Sequence, residues 1–100
     1  MDKYRVLLSP RAVRDIDTIY EYIATELVEP FVAQQLVDEI EAAVLSLDSM
    51  PGRGAERKTG FYANKGYRQL FVKNYTIVYR IDERAKEVIV ITVQYSRKTF

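Results

Sequence analysis

The chain contains no cysteine and no histidine. Without cysteine there can be no disulfide staple, no thiolate metal site and no cysteine nucleophile, and nothing points to an oxidising compartment. Without histidine the commonest general base is missing, together with the side chain most used to titrate near neutral pH. Any catalysis must rest on Lys, Arg, Tyr, Ser, Thr or a carboxylate, so neither cofactor nor metal is expected. Long apolar runs are missing too. The short run that follows Tyr4-Arg5 is too brief for a signal-peptide core and far below the about 20 residues of a membrane span. A cytoplasmic protein with no membrane partner is the expectation.

What is present is enough for one domain, residues 1–100, able to bury roughly 60–70% of its unfolded surface without staples. The formal net charge of +1 hides a division. Residues 1–52 hold four basic side chains against ten acidic, a net of −6, and residues 53–100 hold eleven against four, a net of +7. Such asymmetry predicts a positive half that faces an anionic partner.

The C-terminal third predicts a three-strand antiparallel meander. Residues 67–72, 75–81 and 88–95 are rich in β-branched and aromatic side chains. Lys73-Asn74 divides the first two, with Asn74 expected to take the left-handed backbone of a two-residue turn, and residues 82–87 form a looser turn. Strand alternation groups Tyr75, Ile77, Tyr79 and Ile81 on the core face, opposite Thr76, Val78 and Arg80. The last strand is apolar on both faces, which predicts a central position.

Ahead of the meander, residues 4–8 read as an opening strand, and Ser9-Pro10 as an N-cap followed by proline at the first helical position. Val13, Ile16, Ile19, Tyr20, Ile23 and Leu27 then recur at helical spacing over residues 10–26. Glu29-Pro30 interrupts that helix and starts a second. Its buried stripe is expected to be Phe31, Leu36, Val37, Ile40, Val44 and Leu47, with the acidic residues of both helices on a solvated outer face. Residues 51–66 hold all four glycines and four basic residues against one acid. They read as a long loop, functional or mobile. The fold class expected is α+β, a four-stranded antiparallel sheet with an antiparallel helical hairpin on one face, in the order β-α-α-β-β-β.

That order, with Ser9-Pro10-Arg11-Ala12-Val13-Arg14-Asp15-Ile16, Gly66-Tyr67-Arg68, Asn74 to Asp82 and Val90 to Lys98, resembles the RelE/ParE family of toxins from type II toxin–antitoxin modules. The resemblance runs from Tyr4 to the end. It implies a growth-inhibiting toxin neutralised by a cognate antitoxin protein. Two targets follow from it: ribosome-bound mRNA, which RelE-like members cut with basic residues on the concave sheet face, or DNA gyrase, which ParE-like members poison.

Carried over by position, Arg68 falls where the RelE branch has a basic residue, and Arg97 falls in the basic C-terminal segment. Thr76 stands in place of an arginine, Tyr95-Ser96 in place of a histidine or arginine, and Phe100 in place of a terminal tyrosine. RNA cleavage through the 2′-hydroxyl needs a base, an acid and cations for the phosphorane, and threonine and phenylalanine supply none of these. The catalytic candidates are therefore Arg68, Arg97 and Tyr95, the last an ordinary phenol and a poor base. For target or nucleic-acid binding they are Arg53, Arg57, Lys58, Lys65, Arg68, Arg80, Arg97 and Lys98. Each also has a plainer reading: Arg68 and Arg80 as solvated sheet-face residues, the loop cations as solvated loop. The departures favour a ParE-like gyrase inhibitor over an mRNA endoribonuclease, with a decayed toxin that only binds its antitoxin as a third reading.

Overall fold

The computed structural model describes residues 3–58 and 65–96. Five strands form one sheet in the order β1-β5-β4-β3-β2, with β1 at Arg5–Leu8, β2 at Ala55–Glu56, β3 at Arg68–Val72, β4 at Tyr75–Asp82 and β5 at Glu87–Tyr95. The fold class is α+β, as expected, but the sheet differs from the expectation in two ways. β1 runs parallel to β5, pairing Arg5 with Glu87 through Leu8 with Val90. A short strand also lies inside the segment read as loop, where Ala55 and Glu56 pair with Gln69 and Arg68. β5 is an inner strand, flanked by β1 and β4, in keeping with its apolar faces.

The helices start and stop where the sequence chemistry places them. Helix α1, Pro10–Glu21, opens with Ser9 accepting from the Ala12 amide. It widens into one π turn, Tyr22–Glu26, closed by the Leu27 amide on the Tyr22 carbonyl. Helix α2, Pro30–Leu45, begins on proline and tightens into a 3-10 turn at Ser46–Asp48. Between them Val28 sits at φ 53°, a left-handed position at which helices usually end on glycine.

The hairpin covers the sheet face that carries Ile77, Tyr79, Val88, Val90 and Val93, which with Ile16, Ile23, Leu36, Ile40, Val44 and Leu47 form the core. Three expected core residues are not there: Phe31 is 89% exposed, Leu27 51% and Val13 44%. Ala12 and Ala33, both fully buried, belong to the core instead. On β5 the alternation breaks. Val78 pairs with Thr92 but Tyr79 with Val90, so Ile91 is bulged out and the core residues pass from Val90 to Val93. In the β3–β4 turn the left-handed residue is Lys73, at φ 54°, and not Asn74.

Beyond Leu8, β1 no longer covers the edge of β5, and α1 does so with side chains. Ser9 Oγ donates to the Ile91 carbonyl at 2.7 Å, and Asp15 Oδ2 accepts from the Val93 amide at 3.1 Å and from Thr92 Oγ1 at 2.5 Å. Asp15 is thus a structural acceptor, not part of the solvated outer face. Because Thr92 is fully buried, Asp15→Ala strands a buried hydroxyl and an amide. We expect a loss of about 2–3 kcal/mol in urea unfolding, against little change for Asp17→Ala.

Candidate target-binding surface

The segment after α2 folds back on the sheet through a clasp of backbone and side chains. Tyr79, fully buried, donates its hydroxyl to the Pro51 carbonyl at 2.7 Å and accepts the Gly54 amide at 3.0 Å. Arg68 lies across from Tyr79 in the β3–β4 register, on the helix-covered face. Its Nη2 donates to the Gly52 carbonyl at 3.0 Å and also to that of Gly54. The Arg68 Nε is buried without a hydrogen-bond partner among the described residues. The guanidinium is spent on the chain's own backbone.

The other candidates divide between two faces and two ends. Arg57 and Arg80 belong to the opposite sheet face. Arg57 follows β2, its amide bonded to the Tyr67 carbonyl and its Nη1 to Gln69 Oε1 at 2.6 Å. Arg80 is exposed on β4, one residue beyond Tyr79. Lys58 and Lys65 are exposed, whereas Arg53 turns back to the end of α2 and donates to Ser46 Oγ at 2.6 Å. Arg97 and Lys98 lie outside the described residues, as does Phe100.

Tyr95 pairs with Tyr75 in the register, and their rings meet edge to face at 5.6 Å. Tyr75 and Tyr79 are four residues apart on β4, which puts Tyr95 roughly 13 Å from Arg68 along the strand. Burial, with Tyr95 and Tyr22 alongside, raises the Tyr75 phenol above its ordinary value, so it remains protonated at neutral pH. Thr76, 3% exposed, bonds to Ser96 Oγ at 2.5 Å. Proton transfer requires groups within about 3 Å of the reacting atoms. Among the described residues, Arg68 and Tyr95 do not converge on one point, and Arg57 and Arg80 lie on the sheet face opposite the helices.

A sequence model described as the ParE toxin of the type II toxin–antitoxin system parDE matches residues 6–100. The chain belongs to this family. This ParE-family chain is the toxin of a type II toxin–antitoxin module. No curated protein matches it. Among solved structures, it is similar to a chain of the chromosomal ParDE toxin–antitoxin system of P. aeruginosa, with TM-score 0.78 and 22% identity over 95% of this chain and 98% of that one. It is also similar to a chain of the RelBE2 toxin–antitoxin complex of Mycobacterium tuberculosis, with TM-score 0.63 and 22% identity over 98% and 97%. The isolated E. coli RelE toxin gives TM-score 0.62 and 15% identity over 96% and 87%. At these identities the structures establish a shared fold.

Sequence reasoning missed the structural use of Arg68 and Asp15. A signal for the first was present: Arg68 is in phase with Leu70 and Val72, so alternation alone sets it on the core face.

Proposed function

We propose that this toxin acts as a ParE-type inhibitor of DNA gyrase in the cytoplasm, binding through cations on and around the sheet face opposite the helices, and that it does not cut message. The observation that carries this reading is the dispersal of the candidate catalytic groups. Arg68 is tied to the Gly52 and Gly54 carbonyls, Thr76 is buried where a cleaving enzyme would place a cation, and Tyr95 stands at the far end of the sheet. Interactions that hold substrate without strengthening in the transition state give affinity and not rate. Arg57, Lys58, Lys65 and Arg80, with Arg97 and Lys98 from the basic C-terminal segment, are the binding residues of this proposal. Induction in cells tests it by two readouts, mRNA 5′-end mapping and plasmid topology. Altered supercoiling without new codon-phased ends is the expected result, and new phased ends with unchanged topology the opposing one.

A cognate antitoxin neutralises the toxin, in line with the toxin–antitoxin complexes among its structural relatives. Its toxin-binding segment is apolar and acidic, to match the +7 half. The affinity of the purified pair is expected to fall steeply as salt rises. A salt-independent affinity would contradict the electrostatic part of this account.

A further inference from the structure

Strand β3 turns Arg68, Leu70 and Val72 toward the helices and Gln69 and Phe71 to the opposite face of the sheet. Phe71 is the one residue of this strand left exposed, at 59%, while the other four are half-buried. The solvated face of a sheet is ordinarily polar. A phenylalanine ring standing mostly in water there adds little to folding. β2 pairs with β3 only at Arg68 and Gln69, so among the described residues Phe71 lies beyond the end of β2, with Thr76 of β4 as its cross-strand neighbour.

Gln69, two residues from Phe71 on the same face, accepts a hydrogen bond from Arg57 Nη1 at 2.6 Å. The Arg57 amide donates to the Tyr67 carbonyl at 2.8 Å. Backbone and side chain of Arg57 are thus both tied to β3 and the residue before it, and the residue is half-buried. Arg53 and Arg68, by contrast, direct their guanidiniums to Ser46 and to the Gly52 and Gly54 carbonyls. A neutral amide oxygen orients a guanidinium without cancelling its charge. A cation held in this way loses less rotamer freedom on binding than one on a mobile stem. Gln69 and Phe71 are roughly 7 Å apart along the strand, so the ring and the held cation fit within one interface footprint.

We propose that Phe71 is the apolar anchor of the target contact and Arg57 the charged one, with Gln69 as the residue that positions Arg57. The inference rests on the gyrase reading and names what the toxin meets there: a protein surface, with an apolar hollow for the ring and a carboxylate beside it, and not the DNA. Aromatic and arginine side chains together mark the buried centre of protein–protein contacts, where a few residues carry most of the energy. A duplex backbone is met by cations, whereas the exposed residue of β3 is apolar and Gln69 is neutral. The carboxylate of the partner complements Arg57 and sets the approach of the ring.

The test titrates the full chain into purified gyrase, ATP and relaxed plasmid and reads the concentration that halves supercoiling. Phe71→Ala is expected to raise it at least about 30-fold, with the melting curve unchanged because the ring stands mostly in solvent. Arg57→Ala should raise it about tenfold and flatten its dependence on salt. Arg57→Lys keeps the charge without the planar fork and should behave like Arg57→Ala. Gln69→Leu should cost about threefold in the parent and nothing further in Arg57→Ala, the non-additivity of a residue that acts through another. Equal losses from Gln69→Leu in both backgrounds would overturn its positioning role. Inhibition that follows Arg57 but not Phe71, with the toxin binding plasmid in the absence of gyrase, would assign the contact to DNA and overturn the proposal. A parent chain that leaves supercoiling intact would remove the gyrase reading and this inference with it, whereas an inhibitory parent matched by Phe71→Ala would remove the inference alone.

Discussion

Gly54→Ala is expected to destabilise the protein by about 3 kcal/mol, a drop in Tm of more than about 12 °C for a domain of this size. A Cβ at Gly54 would be built onto the Gln69 carbonyl oxygen and the Tyr79 hydroxyl, closer than side chains ever approach. Neither neighbour can yield. The first is backbone in β3, and the second belongs to a fully buried ring with both of its hydrogen bonds made. Overpacking at such a site costs roughly 1–3 kcal/mol. Displacing the ring also leaves the Pro51 carbonyl and Gly54 amide unpaired, at roughly 1–3 kcal/mol for each group that stays buried. Tyr79→Phe separates the two contributions, since it removes the bonds without the clash, and about 2 kcal/mol is expected. The check is the urea midpoint at constant slope. A Gly54→Ala protein within about 0.5 kcal/mol of the parent would show that the clasp is not rigid.

The second large effect concerns chemistry. Incubated with translating ribosomes and a defined message, the protein is expected to show no cutting above a level at least roughly 10²–10³-fold below a RelE-type toxin assayed alongside. That is the loss that accompanies one missing charge-stabilising donor. Thr76 cannot stand in for a cation, and its hydroxyl is engaged by Ser96. Arg68 cannot reach a phosphate without releasing the Gly52 and Gly54 carbonyls. Arg68→Ala is therefore expected to lower stability through the clasp, whereas Arg80→Ala should leave stability within about 0.5 kcal/mol, as exposed substitutions usually do. Efficient A-site cutting abolished by Arg68→Ala at unchanged stability would reverse the assignment of that residue.

Much of this arrangement is legible in the sequence, because local chemistry marks it. Ser9-Pro10 starts α1, Glu29-Pro30 starts α2, and the alternation of Tyr75, Ile77, Tyr79 and Ile81 identifies the core face of β4. What escapes depends on partners distant in the chain. A four-residue strand such as β1 carries no mark of which strand it pairs with or in which direction, so its parallel pairing with β5 is invisible before the fold exists. The bulge at Ile91 leaves no trace in a run of β-branched residues, yet it moves Val93 into the core. Phe31 satisfies the helical period but falls on the first turn of α2, beyond the reach of the sheet, and remains in solvent. Asp15 looks like any outward acid on an amphipathic helix until the uncovered edge of β5 is set beside it.

At the site, the residue types were legible and their convergence was not. Arg57 and Arg80 share a sheet face, as alternation and the β2–β3 pairing require. Arg68, one residue out of phase with Tyr67 and Gln69, falls on the other. Whether cations gather into a catalytic cluster or spread over a surface is set by strand register. In this chain the register separates Arg68 and Tyr95 by four positions of β4.

The central claim is a protein that binds gyrase and does not cleave RNA, and it is tested most directly with purified gyrase, ATP and relaxed plasmid. The account predicts loss of supercoiling or accumulation of cleaved plasmid at stoichiometric toxin, reversed by the antitoxin and weakened by at least about tenfold in Arg80→Glu. Full supercoiling in the presence of excess folded, antitoxin-binding toxin would contradict it.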